Sequence, residues 1–434
     1  MTPPMVSGRW PVLGHLVPFL RNRDALMRRG AVEHGKVFAI DLAGQKVAVV
    51  GGAEYNRRFY TATDKELNIE KMYTAIAAAI GEVLFLASHE TYINQRPLLT
   101  AYFSRERMPA YIEAMDLETR RWVTGLPTAG TLEVSDAMLA LAQQVAAHAF
   151  VGPRFREELD DAFWKDYEHI ARSIDLVLPP SWPLPKFIRR DQARKRIRAV
   201  ISRVIQRRRS NPGGYNDLIA HTLQLKQKDG TAMGDDVIVS VLMGLLFAGH
   251  ETTAGQAAWL LITLAREPSL QHQVRREINE HVGAGPLTAD TLRKLKYLYM
   301  AIDEVTRLYP SADMQARYVE RAIEFGPYIV PAGWQVFVNA SVSHHLPGEF
   351  TDSLRFDPTR IERGEGKSPW SNIGFGGGVH KCTGMNFARH EMAVIVARVV
   401  QGFDLASATP DTRVITGLGA NRPSATHLHL RRRG

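Results

Sequence analysis

A single large domain built around long helices is the fold class that this sequence predicts, on three observations. The chain has 434 residues, a length that alone would suggest about three domains, yet no Ser/Gly/Pro-rich linker, low-complexity run or repeat divides it. Residues 235–265 are apolar on both sides of Gly249-His250-Glu251-Thr252-Thr253. That stretch is long enough to span a bilayer, but charge and hydroxyls at its centre are costly in lipid, so it reads as a central buried helix. Residues 385–400 form a second helical pattern, with apolar Phe387, Met392, Val394, Ile395, Val396 and Val399. Short β-hairpins are expected at 36–50, which alternates and turns at Ala43-Gly44-Gln45, at 326–338 and at 413–430.

Hydrophobic residues make up 45% of the chain, ample for a core. One cysteine excludes an intramolecular disulfide framework and suits a reducing cytoplasm. Residues 1–20 contain prolines throughout and no continuous apolar run, so neither signal peptide nor transmembrane anchor is expected. A net charge of +9 would suit a nucleic acid partner, but no zinc, helix-turn-helix or RNA-recognition motif supports one.

The cysteine, Cys382, lies in GFGGGVHKCTG, residues 374–384, directly ahead of the second helical pattern. A thiol at a helix mouth sits in the positive end of the backbone dipole, which favours thiolate. Gly376, Gly377 and Gly378 lack Cβ, so the backbone can lie against a flat ligand or adopt positive φ. Phe375 could shield one side of the sulfur, and His380 and Lys381 offer donors to an anion. These are the requirements of an axial thiolate on haem iron. Taken singly, a lone cysteine is more often an inert buried side chain. Nor is the triple glycine a phosphate loop, because no GK[ST] follows and Val379 stands where GxGxxG needs its third glycine.

Other stretches carry weaker signals. Residues 72–86 read as a buried helix and loop. Tyr92 and Arg96, at i and i+4, share a helix face and could grip one carboxylate. Residues 186–209 hold eleven basic residues and one acid, either a solvated helix face or a basic amphipathic helix resting on an anionic membrane. A mid-helix Thr252 can simply bond back to the i−4 carbonyl, but a buried Glu251 beside it needs a reason. Glu304 and Arg307 stand one turn apart on a helix that Pro310 should end.

Together these stretches resemble one family. Phe375, Gly378, Cys382 and Gly384 fit FxxGxxxCxG, AGHETT from Ala248 fits [AG]Gx[DE]T, Glu304–Arg307 fits ExxR, and Phe356–Arg360 fits FxPxR. Their order and spacing are those of the cytochrome P450 family, which the chain resembles from near residue 6 to its C-terminus. The resemblance implies a mainly α fold, a helical prism with small β-sheets near the N-terminal side, in one domain over residues 1–434 without a fused reductase. It implies haem b (iron protoporphyrin IX) with Cys382 as axial iron ligand. Around the cofactor it places Tyr73, Tyr92, Arg96, Arg317, Phe375, His380 and Gly384. Of these, Tyr73, Arg96, Arg317 and His380 would supply donors to the two haem carboxylates, since buried charges must be paired. Thr252 and Glu251 are the implied catalytic pair for handling dioxygen and its protons, and Ala248 and Gly249 leave it room. Glu304, Arg307 and Arg360 form an implied structural network. Ile76, Ile80, Leu84, Phe247, Ala248, Met314 and Leu418 are the implied substrate pocket.

The implied activity is a haem-thiolate monooxygenase that inserts one oxygen atom of O2 into a C–H bond. Electrons would come from a ferredoxin or flavodoxin with its NAD(P)H-dependent reductase. Lys381 and Arg389, on the thiolate side, would meet an acidic ferredoxin. Within the family the chain is most similar to the sterol 14α-demethylase-like branch, on VSG near the N-terminus, Tyr73 with Gly81-Glu82, RRDQAR at 189–194 and MGLLFAGHETTAGQAAW. It departs from that branch at Glu251, where His is typical, and at Ile80, where an aromatic is. The expected substrate is a large apolar molecule, sterol, steroid or terpenoid, with sterol demethylation the narrower reading. A hydroperoxide isomerase or dehydratase and a non-catalytic haem-binding protein are the alternatives, and retention of Thr252 and Glu251 weighs against both. The chain looks like a soluble bacterial type, cytoplasmic, with peripheral membrane contact open for the 186–209 segment.

Overall fold

The structure, a computed structural model, describes residues 1–80, 88–159, 161–175, 178–211, 214–215, 217–226, 230–417 and 420–434. They fall into two compact units, Met1–Tyr73 with Asp303–Cys382, and Thr74–Ile302 with Thr383–Gly434.

The first unit is organised by a five-stranded sheet in the spatial order Val37–Leu42, Gln45–Val50, Gln335–Asn339, Met314–Val319, Leu67–Asn68. The expected hairpin at 36–50 is present: Ala43 and Gly44 take φ of 53° and 95°, as a two-residue turn matched to strand twist requires. Its strands do not alternate in burial. Phe38, Ile40, Val47 and Val49 pack with Phe19, Leu26 and Met27 of the helix Leu16–His34. Val37, Ala48 and Val50 pack with Phe59 and Ala62 of the helix Ala53–Ala62. A sheet covered on both faces wants apolar side chains at every position.

Two hairpin expectations are corrected. Within 326–338 the reversal at Gly326 joins Ile323–Phe325 to Tyr328–Val330, whereas Gln335–Asn339 pairs in parallel with Gln45–Val50 in the large sheet. Within 413–430 only Val414–Ile415 and Arg422–Pro423 pair with each other. His427–Arg432 lies between Ala129–Glu133 and Phe403–Ser407 in a three-stranded sheet of the second unit. There both edges of the strand are hydrogen-bonded and Leu428 and Leu430 are buried, which a two-stranded ribbon could not provide.

The second unit is centred on the helix Asp235–Arg266, buried along most of its length, with Asp235 and Asp236 in the first turn where the helix dipole favours them. It packs against Val134–Val151. Among the described residues it is the one helix long and apolar enough to cross a membrane, and 56% of that apolar window is buried inside the protein. The helix Met385–Gly402 begins directly after Gly384. Its Phe387 stacks on Phe150 at 4.7 Å and meets Phe103 and Tyr111 edge-on.

The basic run forms the helix Pro185–Ser210, and much of its charge is satisfied within the protein. Lys186, Arg190, Arg196, Arg198, Arg208 and Arg209 pair with Asp175, Asp191, Asp166, Asp236, Asp217 and Asp235. Arg189, Lys195 and Arg203 are exposed.

Candidate functional site

In the first unit, Glu304 and Arg307 lie on the helix Lys296–Leu308, which stops where Pro310 lacks an N–H to continue it. Arg307 Nε and Nη2 donate to both Glu304 oxygens at 2.9 and 2.8 Å. Arg360 Nε and the Asp357 backbone N–H donate to Glu304 Oε1 at 2.9 and 3.0 Å. All three side chains are buried, at 3%, 1% and 1% exposure for Glu304, Arg307 and Arg360. The other guanidinium hydrogens reach the carbonyls of His344, Ser353, Thr351 and Arg355 and the carboxylate of Glu365. Burying charge is unfavourable unless the group is both paired and fully hydrogen-bonded. The cluster expected from the sequence meets that condition.

The Cys382 loop lies in the same unit. Gly376 and Gly378 take φ of 70° and 66°. A Cβ on Gly377 would come within 2.7 Å of the Tyr60 ring and 2.8 Å of Trp370, two rings stacked at 5.8 Å. This aromatic pair demands glycine at 377. The Cys382 N–H donates to Phe375 O at 3.0 Å, folding the loop back so that half-buried Phe375 and exposed Cys382 are adjacent. His380, expected as a donor to a cofactor carboxylate, has its Nε2 2.6 Å from Asp64.

Arg317, on the strand Met314–Val319, is 2% exposed. Its Nε donates to Thr63 Oγ1 at 3.2 Å and its Nη1 to Ala316 O at 2.8 Å, with the guanidinium 5.1 Å from the Phe59 ring centre. Among the described residues no carboxylate pairs with it. Tyr73 Oη accepts the Ala316 N–H at 3.2 Å, so this phenol reaches the residue next to Arg317. Met314, half-buried, starts the same strand.

In the second unit, the helix Asp235–Arg266 is buried on either side of residues 248–252, with Ala248 exposed and Gly249, Glu251 and Thr252 half-buried. Thr252 Oγ1 donates to Ala248 O at 2.6 Å, the i−4 bond that a threonine makes by default. A Cβ on Gly249 would meet Phe150 at 3.4 Å. His250 points away from the open stretch: its Nδ1 bonds Leu246 O at 2.6 Å and its ring packs on Trp164 and Tyr167. Burial holds its pKa below the usual imidazole range, against the pull of Glu251. On the helix His89–Tyr102, Tyr92 is buried and Arg96 exposed, with the guanidinium 5.9 Å from the Tyr92 ring centre. Ile76 is half-buried, Ile80 and Phe247 are buried, and Gly384 is half-buried. Leu84, Leu418 and the Gly81-Glu82 pair lie outside the described residues.

The first unit thus carries a cysteine loop and a buried Glu–Arg–Arg cluster. The second carries an acid and a hydroxyl on an open stretch within a buried helix. The class these define is a haem-thiolate oxygenase. The cytochrome P450 family model matches residues 3–425, and the chain belongs to the cytochrome P450 family. It is 29% identical over 418 residues to the sterol 14alpha-demethylase of Mycobacterium tuberculosis, covering 94% of this chain and 92% of the relative. It is 26% identical over 412 residues to the lanosterol 14-alpha demethylase of Bos taurus, covering 93% and 82%. The solved structure of retinoic acid-bound cyanobacterial CYP120A1 superimposes with a TM-score of 0.88 at 25% identity, over 100% of this chain and 99% of that one. The protein is accordingly a monooxygenase with haem b as cofactor, and like its family it draws on redox partners and O2. The residues present fit that group. Arg317 is a buried cation that lacks a protein counter-ion among the described residues, as a site for a haem carboxylate requires, and Cys382 presents an exposed thiol three residues ahead of a helix.

Three residues without any sequence signal prove central to this geometry: Tyr60, Trp370 and His344, which bonds both Arg307 O and the Ile373 N–H. Burial pushes the His344 pKa down to about 3 and the His345 pKa down to about 4. Burial alone would raise Asp357 and Glu365, but hydrogen bonds from Arg363 and Thr359 to the first, and from Thr351, Arg360 and Arg363 to the second, hold both at about 2. A depressed histidine contributes stability that is complete above its unfolded pKa of about 6.5 and is lost as pH falls toward the folded value. A depressed carboxylate contributes stability above about 4 that is lost toward pH 2. The urea midpoint should therefore fall steadily from pH 7 to pH 4, and fall faster below that. A midpoint flat across this range would contradict the burial of neutral imidazoles.

Proposed function

We propose that this protein hydroxylates a large apolar substrate built on an isoprenoid skeleton, a sterol, steroid or terpenoid. The observation that carries the oxygenase reading is the open stretch Ala248–Thr252 in a helix otherwise buried on both sides. The substrate class rests on the relatives, two of which are named for sterol demethylation while the structural neighbour holds retinoic acid. Glu251 and Ile80 depart from the sterol demethylase pattern, so the reading stops short of 14α-demethylation itself. Electrons reach it from a ferredoxin or flavodoxin and its NAD(P)H-dependent reductase, and the enzyme works in the cytoplasm as one catalytic domain.

Haem, when bound, supplies activation of O2 at a thiolate-ligated iron. The protein's part is holding, orienting and proton supply. Cys382 would ligate the iron, and Arg317, Tyr73, Arg96 and Tyr92 would donate to the cofactor's carboxylates, with His380 held by Asp64. Glu251 takes protons from solvent, and Thr252 passes them on, its hydroxyl anchored to Ala248 O in the resting state. Ile76, Ile80, Phe247, Met314, Leu84 and Leu418 supply the apolar contacts that select substrate by shape.

Purified holoenzyme should be titrated with steroids, terpenoids and short acids, and turned over with a surrogate ferredoxin, its reductase and NAD(P)H. A haem spectral shift and an oxygenated product with the first two classes, and none with short acids, is the expected outcome. Thr252→Ala should keep reductant and O2 consumption while about a hundredfold less product forms, the low end of the range for loss of a proton-handling group, the balance appearing as peroxide. Unchanged coupling would remove Thr252 from this role. Spectral shifts confined to short acids would remove the substrate class.

A further inference from the structure

We propose that His344 is a positioning residue for the thiolate: it fastens the entry of the Cys382 loop to the Glu304–Arg307–Arg360 cluster and thereby fixes how the sulfur is presented to iron. The inference rests on the haem-thiolate reading above.

His344 is fully buried. Its Nδ1 lies 2.8 Å from Arg307 O and its Nε2 2.9 Å from the Ile373 N–H. Because the Ile373 amide can only donate, Nε2 must accept. Nδ1 must then carry the hydrogen and donate to Arg307 O, so a single neutral tautomer satisfies both partners. The backbone of His344 is committed as well: its carbonyl accepts Arg307 Nη1 at 2.9 Å and its N–H donates to Ala340 O at 2.7 Å.

From Ile373 the bonds run on to the sulfur-bearing residue. The Gly376 N–H donates to Ile373 O at 2.8 Å, and the Cys382 N–H donates to Phe375 O at 3.0 Å. Asn372 makes a parallel tie, its Nδ2 donating to Asp303 O and its Oδ1 accepting the Gly374 N–H, each at 3.2 Å. The loop between these anchors and the helix is rich in glycine, whose backbone has little conformational preference of its own. Its shape is therefore set at its fastening points. His344 is the fastening that reaches the ion cluster directly, which gives that cluster a route by which to hold the thiolate.

Two substitutions separate positioning from packing. His344→Phe keeps a ring of similar volume and removes both hydrogen bonds. His344→Gln offers an amide that can accept from Ile373 and donate to Arg307. Each holoprotein is read by the Soret band of its reduced carbon monoxide complex, by haem reduction potential, by haem affinity and by Tm. In His344→Phe the far-red Soret fraction should fall, the potential should move, and haem affinity should drop about 10–100-fold, as when the outer partners of a metal ligand are lost. His344→Gln should recover all three. A His344→Phe protein with lowered Tm but wild-type Soret, potential and affinity would reduce His344 to packing and overturn the proposal. Should His344→Phe give no holoprotein, His344→Gln decides: a displaced Soret band or potential there overturns it. Absence of the far-red band in the unsubstituted protein would instead strike the haem-thiolate reading itself.

Discussion

Glu304→Ala should abolish recoverable holoprotein. In the native protein this one carboxylate accepts from Arg307 through both oxygens, from Arg360 and from the Asp357 amide. Removing it leaves two guanidinium groups that are 1% exposed facing each other without the anion between them. Breaking a single buried pair in this way costs about 3–5 kcal/mol, against a typical total stability of about 5–15 kcal/mol. Arg360 retains Glu365 at 2.7 Å, but Arg307 retains only carbonyl partners. Glu304→Gln should be less damaging, because the amide oxygen still accepts from Arg307 while the charge is lost. Urea unfolding of whatever folds, with haem content per chain, measures the order wild type, Gln, Ala. If Glu304→Ala unfolded within about 1 kcal/mol of wild type, the size of an ordinary surface change, the cluster would be incidental to stability.

The sequence made such local features legible and hid the distant ones. ExxR, FxPxR and the cysteine loop could be read because the chemistry fixes residue types at short, set spacings, and a helix puts Glu304 and Arg307 on one face. The helices Asp235–Arg266 and Met385–Gly402 could be read from their apolar patterns, and the hairpin of Val37–Leu42 with Gln45–Val50 from its turn. What the turn could not say is that Gln45–Val50 takes Gln335–Asn339 as its other neighbour, because strand partners far apart in sequence leave no periodic mark. The same holds for Ala129–Glu133 and Phe403–Ser407, which complete the sheet of His427–Arg432. His344 and Asp64 escaped for a related reason. Each acts through one contact set by tertiary packing, and a single polar residue in a loop looks the same whether that contact exists or not. The basic run at 186–209 shows the converse. Its charge density was plain, yet the acids that neutralise much of it, among them Asp166, Asp217 and Asp235, come from elsewhere in the chain.

Cys382→Ser should remove the catalytic activity while leaving the fold nearly intact, and that contrast is what makes it decisive. The Cys382 side chain is exposed, so exchanging sulfur for oxygen disturbs little packing; substitutions at such positions usually stay within about 0.5 kcal/mol. The backbone bond from residue 382 to Phe375 O does not depend on the side chain and should persist. What changes is the donor. A thiol at a helix mouth is readily held as thiolate, whereas a serine hydroxyl stays protonated at neutral pH and donates far less electron density to iron. The reduced carbon monoxide complex should lose its far-red Soret band, and product formation should fall by at least about a thousandfold, equivalent to about 4 kcal/mol of transition-state stabilisation. Tm should move by no more than a few degrees. A Cys382→Ser protein that retained the far-red band would show that another residue ligates the iron, and the assignment of this loop would fall. One that lost both the band and its folded state would place Cys382 in the stability of the loop, against its exposure in the structure.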